Sequence, residues 1–216
     1  MATTIINRYR PVAQPRLPAA PTEYDAQFIE QYSNILRLYF NQLDGLTGAL
    51  LGESGGRFLR LPYGAFSSNQ DQTAIANTAT LMTLNTTDFS NDVSISSSKI
   101  TVANAGIYNL QFSVQLENAD NAPEDVFIWL KQNGTDIVGS TGKVGMPARK
   151  SPGNPSHDIK GWNYFVSMTA GQYIEIYWST TNANVSIQFY AASGSPTKPS
   201  TQSVVATMSF VSALST

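Results

Sequence analysis

The sequence predicts a mainly β protein, an antiparallel β-sandwich preceded by an extended arm and a short α-helical neck. Two observations predict the sandwich. Apolar and polar residues alternate with a period of two through much of residues 58–216, and turn signals separate these runs without any helical pattern between them. A third observation predicts the appendage, since prolines crowd residues 1–24 and apolar residues recur every seven positions in residues 25–51.

Composition excludes several classes of protein before any motif is considered. The 216 residues include 13 basic and 15 acidic side chains, one histidine and no cysteine. A net charge of −2 argues against nucleic acid as a partner, because phosphate binding needs a concentrated basic face. Without cysteine there is no disulfide or thiolate metal site, and a single histidine leaves little general-base chemistry, so we expect no enzyme. No apolar run is long enough for membrane insertion.

Residues 1–24 are expected to form an extended, anchoring arm. Proline recurs every three or four residues after position 10, which removes backbone donors and holds the chain extended. No apolar core precedes the first arginines, so the segment is not expected to be a secretory signal. The residues expected to anchor the arm on a partner are Arg8, Tyr9, Arg10 and Arg16.

Residues 25–51 are expected to form a helical neck that joins three copies of the chain. Apolar residues fall in the two rows of a coiled-coil seam, and flanking apolar residues widen this seam beyond that of a dimer. An amphipathic helix that lies on its own domain is the alternative. A glycine-rich hinge, residues 52–57, follows the helix. The predicted neck contacts are Ile29, Tyr32, Leu36, Tyr39 and Leu43.

The pattern of the remaining residues, 58–216, predicts a sandwich or jelly roll. We call this part of the chain the knob. Residues 105–116 alternate cleanly between apolar and polar, and Asn133-Gly134 is typical of a type I′ hairpin turn. Residues 126–130 and 173–178 are apolar on both faces, and soluble monomers avoid exposing so large an apolar surface. The second face is therefore expected to meet other copies through Phe127, Trp129, Tyr173 and Tyr177.

The knob resembles the jelly roll shared by the complement-component and tumour necrosis factor superfamily. The stretches that carry this resemblance are YGAFSS (63–68), SSSKITVANAGIYNLQFSVQL (96–116), VFIWLKQNGTDI (126–137), MTAGQYIEIYW (168–178) and VVATMSFVSAL (204–214). Met168 and Gln172 depart from the leucine and aspartate of the family's usual turn. Residues 16–44 are similar to the leading segments of fibre and attachment proteins of tailed phages. Together the two resemblances imply a homotrimeric virion protein.

Two polar segments of the knob are candidate binding sites. The segment 146–162 is rich in proline, glycine and cations, and is expected to be a long loop that contacts a receptor. Its candidate contact residues are Arg149, Lys150, His157 and Trp162. A second segment, 117–126, gathers acids whose oxygens are the ligands that calcium prefers, although a solvated acidic loop is the default and no cofactor is expected. The acids concerned are Glu117, Asp120, Glu124 and Asp125.

The expected function is that of a non-enzymatic phage structural protein, a trimeric short fibre or appendage. The arm would attach it to the capsid, portal, adaptor or tail, and the knob would contact a surface or recognise a host glycan or receptor. Such a protein is made in the host cytoplasm and assembled into the virion. The alternatives are a capsid decoration trimer and, with less support, a secreted cytokine-like or lectin-like trimeric ligand.

Overall fold

The structure is a computed structural model that describes residues 12–51 and 61–214, with helix side chains described up to residue 48. It divides the chain into two units, Met1–Arg60 and Leu61–Thr216, and each is described by itself. In the first unit, residues 12–25 form no helix or strand. Residues 1–11 of the predicted arm and the predicted hinge, 52–57, lie outside the described residues.

The helix α1 spans Ala26–Leu51, as the heptad pattern predicts. The Asp25 carboxylate caps its first turn by accepting a hydrogen bond of 2.8 Å from the Gln27 amide. Its most covered side chains form a stripe along one side, yet no described side chain of the helix is buried. The half-buried positions of this stripe are Phe28, Tyr32, Ile35, Leu36, Tyr39, Leu43 and Leu46.

All described strands lie in the second unit. Their bounds are β1 (Tyr63–Ser68), β2 (Gln72–Thr73), β3 (Thr80–Leu81), β4 (Thr86–Asn91), β5 (Val93–Ser96), β6 (Lys99–Val102), β7 (Gly106–Asn118), β8 (Glu124–Gln132), β9 (Thr135–Asp136), β10 (Gly142–Met146), β11 (Ser156–Met168), β12 (Tyr173–Thr180), β13 (Val185–Ile187), β14 (Ser193–Gly194), β15 (Thr197–Lys198) and β16 (Val204–Ser212).

These strands form a β-sandwich of two antiparallel sheets. Sheet 1 contains β4, β1, β16, β7 and β11 side by side in that order. The edge of β7 that pairs with β16 also pairs with β13, and β2 pairs with β13. Sheet 2 contains β10, β8, β12, β6 and β5, with the short β9 and β3 attached to β8 and β12. The pairings are nested along the chain: β1 pairs with β16, β6 with β12, β7 with β11, and β8 with β10.

The core lies between the sheets and follows the predicted alternation. On β7, Tyr108, Leu110 and every second residue through Leu116 are buried, while the residues between them face outward. The expected hairpin turn is also confirmed. Asn133 and Gly134 both have positive φ, 50° and 80°, and Gln132 pairs with Thr135 across the turn, as a type I′ turn requires.

The pairing of β7 with β11 depends on one small residue. Gly161 lies opposite Ser113, and a Cβ added at Gly161 would come within 2.5 Å of the Phe112 carbonyl oxygen. We expect Gly161→Ala to destabilise the knob by about 1–3 kcal/mol, because backbone atoms must shift to relieve the overlap. Thermal unfolding measures this loss. Gly194→Ala is the matched control, since nothing lies within 4 Å of that added Cβ; equal melting temperatures for the two variants would contradict the prediction.

Candidate functional site

The outer surface of sheet 2 concentrates aromatic and charged side chains. On β12, Ile174, Ile176 and Trp178 point into the core, so the residues between them face outward. Strands β6, β8 and β10 contribute their outward residues to the same surface. We call this surface the lysine–aromatic face; its residues are Lys99, Phe127, Trp129, Lys131, Lys143, Tyr173, Glu175 and Tyr177.

Lysine side chains cover the aromatic rings of this face. The Nζ of Lys99 lies 4.4 Å from the centre of the Tyr173 ring. The Nζ of Lys131 lies 4.5 Å from the Tyr177 ring centre in the same way. Each contact is a cation–π interaction, worth about 0.5–1 kcal/mol at an exposed site. Two of the rings predicted to contact other copies, those of Tyr173 and Tyr177, are therefore half-buried beneath cations of their own chain.

Carboxylates tie the lysines to fixed positions on the face. Asp136 accepts a hydrogen bond of 2.8 Å from the indole Nε1 of Trp129 and lies 3.4 Å from the Lys131 Nζ. Asp125 lies 2.8 Å from the Nζ of Lys143. The Trp129 and Tyr177 rings, directly opposite in the register of β8 and β12, lie 5.9 Å apart at an interplanar angle of 32°. These contacts hold Trp129 in one orientation.

Glu175 is the exception on this face. Its residue is only 5% exposed, whereas Tyr173 and Tyr177 on either side of it are half-buried. Within the described part of the chain, the Glu175 side chain makes no hydrogen bond or ion pair. Lys131 lies opposite it in the register, but the Lys131 ammonium is paired with Asp136. Neither carboxylate oxygen of Glu175 is among the fully buried side-chain atoms that lack a partner, so the carboxylate keeps contact with solvent.

The outer surface of sheet 1 has a different character. Most of its outward side chains are uncharged and polar, as on β7, where asparagine, glutamine and serine alternate with the core residues. Large apolar side chains stand among them, with Ile159 63% and Phe165 56% exposed on β11. Val205 on β16 is exposed as well, and the buried Oδ1 of Asn109 has no hydrogen-bond partner among the described residues. We call this surface the uncharged face.

The histidine lies at one end of the uncharged face, on strand β11. The hydroxyl of Tyr190 donates a hydrogen bond of 3.1 Å to the Glu117 carboxylate and lies 3.0 Å from the Nδ1 of His157. Burial raises the pKa of Tyr190 to about 12, and the neighbouring Glu117 adds to this shift.

The acids considered for calcium are drawn into separate contacts. Glu117 faces Tyr190, and Asp125 pairs with Lys143. Only Asp120 and Glu124 share a partner, because the amide of Asn182 donates to both at 2.9 Å and 3.0 Å.

Hydrogen bonds hold Asp120 as an anion. The amides of Asn184 and Asn182 and the backbone of Ala122 and Asn121 lower the pKa of Asp120. Among the described residues, no group of three or more histidine, cysteine or acidic side chains could hold a metal ion. The calcium hypothesis therefore has no geometric support in the described chain.

The predicted receptor loop is shorter than its sequence suggests. Strand β10 ends at Met146 and β11 begins at Ser156, so Arg149 and Lys150 lie in the loop. His157 and Trp162 belong to β11, which corrects the prediction that they are loop residues.

Trp162 faces the core of the sandwich. Its ring packs against Phe112 at a centroid distance of 4.7 Å, and Tyr164 also packs on the core. Both rings are half-buried against the core, and the expected contact of Trp162 with a receptor stays a prediction.

The predicted neck and arm contacts lie in the first unit. Tyr32, Leu36, Tyr39 and Leu43 fall in the half-buried stripe of the helix, whereas Ile29 lies beside the stripe and is more exposed. Arg16 is exposed in the segment before the helix. Arg8, Tyr9 and Arg10 lie outside the described residues.

Sequence reasoning found the aromatic half of the lysine–aromatic face and missed its charged half. Lys99 and Lys143 are far from β12 along the chain, and only the register of four strands brings them to one surface. A signal was present, because both lysines alternate with buried residues of their strands. To place both lysines on the same surface from this signal, the strand order must be known as well as the alternation.

No protein-family model matches this chain, and no curated protein matches it either. No described helix is long and apolar enough to cross a membrane.

The environment of Tyr190 gives a prediction for alkaline pH. Because the pKa of Tyr190 is raised from 10.0 to about 12, its contribution to stability is complete below pH 10 and is lost as the pH rises toward about 12. The difference in tyrosinate absorbance between the native chain and Tyr190→Phe isolates this phenol. Glu117→Gln should move its ionisation to lower pH. An unchanged midpoint in Glu117→Gln would contradict the role of Glu117, and near-ultraviolet circular dichroism checks that the chain stays folded.

Proposed function

We propose that this chain is a non-enzymatic structural protein of a tailed-phage virion, a homotrimeric short fibre or appendage whose knob contacts a surface. The observation that carries the proposal is the stripe of helix α1, an apolar surface with no buried side chain along its described length. An amphipathic helix gains most of its stability from packing of its apolar side, so such a stripe calls for a partner.

The pattern of the stripe favours other copies of the same helix. Leu36 and Leu43 are seven residues apart in one row, and Tyr32 and Tyr39 form the second. A third, shorter row, Phe28 and Ile35, adds width. Two rows suffice for a pair of helices, whereas a wider apolar surface suits three. The 26 residues of α1 give a helix of about 39 Å, long enough for a short neck.

The strand order supports the resemblance of the knob to a jelly roll of the complement-component and tumour necrosis factor superfamily. In a jelly roll, a long hairpin folds over itself, so its first strand pairs with its last and the inner strands pair in the same nested order. The pairs β1–β16, β6–β12, β7–β11 and β8–β10 follow this rule.

The uncharged face is the better candidate for contact between knobs. Its exposed Ile159, Phe165 and Val205 can be buried at low cost, because few charges surround them. On the lysine–aromatic face, burial by another copy would also desolvate Lys99, Lys131 and Lys143. We therefore assign the knob contact to the uncharged face in place of Phe127, Trp129, Tyr173 and Tyr177.

The proline-rich arm would join the trimer to the capsid, portal, adaptor or tail. Arg16 is exposed before the helix, and the prolines of this segment favour an extended chain that can lie along a partner's surface. A capsid decoration trimer would use the same arm, neck and knob, and is the second candidate. A secreted trimeric ligand would use only the neck and knob.

The neck assignment predicts a trimer that one charge destabilises. The full chain should sediment with the mass of three copies. Leu36→Lys places charge within the stripe and should raise the concentration for half-dissociation at least about tenfold, since desolvating an unpaired charge costs more than ~1.4 kcal/mol. Leu38→Lys is the matched control, because Leu38 lies off the stripe and is 60% exposed. A monomeric native chain would refute the trimer, and equal effects of the two variants would refute the neck contact.

The arm assignment predicts assembly without attachment when residues 1–24 are deleted. The shortened chain should still sediment as a trimer, because α1 and the knob remain. It should no longer appear in purified particles when it replaces the full chain during infection. Incorporation at the normal level would overturn the anchoring role, and a map of the particle carrying the full chain separates a fibre from a decoration trimer by position.

A further inference from the structure

We propose that the lysine–aromatic face is a carbohydrate-binding surface that takes a neutral glycan chain. The inference deepens the proposed function, since it names the class of molecule that the knob contacts, and it rests on that function. Three properties of the face carry it: the unpaired carboxylate of Glu175, the fixed ring of Trp129, and the balance of charge.

Glu175 supplies the first step. Its residue is 5% exposed, its carboxylate keeps contact with solvent, and its side chain has no hydrogen-bond or ion-pair partner in the described chain. A carboxylate in this position accepts hydrogen bonds from any donor that reaches it, and bonds to a charged acceptor are stronger than those between neutral groups. Adjacent hydroxyl groups of a sugar are donors of the right kind, because two of them can meet the two oxygens of one carboxylate.

The aromatic rings supply the second step. Trp129 is held by its bond to Asp136 and lies beside Tyr177, with 5.9 Å between the ring centres. Tyr173 and Tyr177 lie four residues apart on β12, a separation of roughly 13 Å along the strand. Glu175 lies between them, on the same side of the strand. The apolar face of a sugar ring packs on an aromatic ring. Because lysine side chains lie over the rings of Tyr173 and Tyr177, Trp129 presents the stacking position beside the hydrogen-bond acceptor.

The charges of the face decide which polymer fits. Together with Asp125 and Asp136, which pair with two of its lysines, the face carries three ammonium groups and three carboxylates and hence no net charge. The residues are Lys99, Lys131, Lys143, Asp125, Asp136 and Glu175. A strongly anionic polymer would be repelled by the carboxylates as well as attracted by the lysines, so it would gain little electrostatic binding free energy. A neutral glycan finds both donors and acceptors for its hydroxyl groups, together with apolar rings.

The shape of the face also favours an extended chain over a small molecule. The aromatic row runs along the surface of a sheet, and Phe127 prolongs it on β8 beyond Trp129. Small ligands are usually held in concave pockets that cover most of their surface. The open surface of a sheet contacts only one side of its ligand and suits successive units of a polysaccharide.

The test measures glycan binding and oligomeric state on the same full-length protein. Affinity electrophoresis and glycan arrays would use neutral polysaccharides (dextran, mannan and galactan, with neutral bacterial surface glycans) and heparin as the polyanion. We expect binding to at least one neutral glycan, weakened about tenfold or more by Trp129→Ala and by Glu175→Gln. Tyr24→Ala and Glu30→Gln are the matched controls, because both side chains are exposed outside the knob.

Each outcome separates this inference from the proposed function. A stable trimer that binds none of the neutral glycans, or binds them equally well after Trp129→Ala and Glu175→Gln, overturns the inference alone. Binding to heparin only overturns the neutral class. Dissociation of the trimer by folded Glu175→Gln would show that a second copy of the chain covers the face, which also overturns it. A glycan-binding monomer would sustain the inference for this face and refute the trimer.

Discussion

The strict alternation of β7 is the constraint on which the rest of the knob depends. Both edges of this strand are hydrogen-bonded, one to β11 along all of Gly106–Asn118 and the other to β16 and β13. A slip of one residue in either pairing would turn the buried residues of β7 toward solvent and its polar residues inward. The register is therefore fixed, and with it the outward positions of every strand in sheet 1.

Because the inner faces of both sheets are committed to one core, the outer faces are free to differ. Sheet 1 exposes apolar residues such as Phe165 among neutral amides and hydroxyls. Sheet 2 carries rings covered by ammonium groups. The uncharged face can be buried against another copy without leaving charged groups unsolvated. On the lysine–aromatic face, burial removes water from the charged groups, so a ligand there must supply hydroxyl groups that replace this water.

Local patterns in the sequence were enough to predict the helix and the inward side of β7. The heptad set the helix at residues 25–51, and the structure has Ala26–Leu51. The sandwich followed from alternation and turns, as at Asn133-Gly134. The candidate sites were harder, because Trp162 was assigned to a loop from its proline- and glycine-rich neighbourhood. Its strand pairing with Phe112 decides otherwise, and pairings between distant strands are not readable from local composition. The low exposure of Glu175 likewise depends on the pairing of β12 with distant strands, which local composition does not show.

The neck and the lysine–aromatic face become more effective together than either is alone. An open surface that contacts one side of a glycan binds weakly, since it buries little area per sugar. Three copies held on one neck would present three such surfaces to the same array of glycans. The second and third contacts then form at a high effective concentration, which raises the overall affinity by orders of magnitude without any new contact. A stable stripe contact along α1 is thus the physical condition under which so shallow a face can hold a particle on a surface.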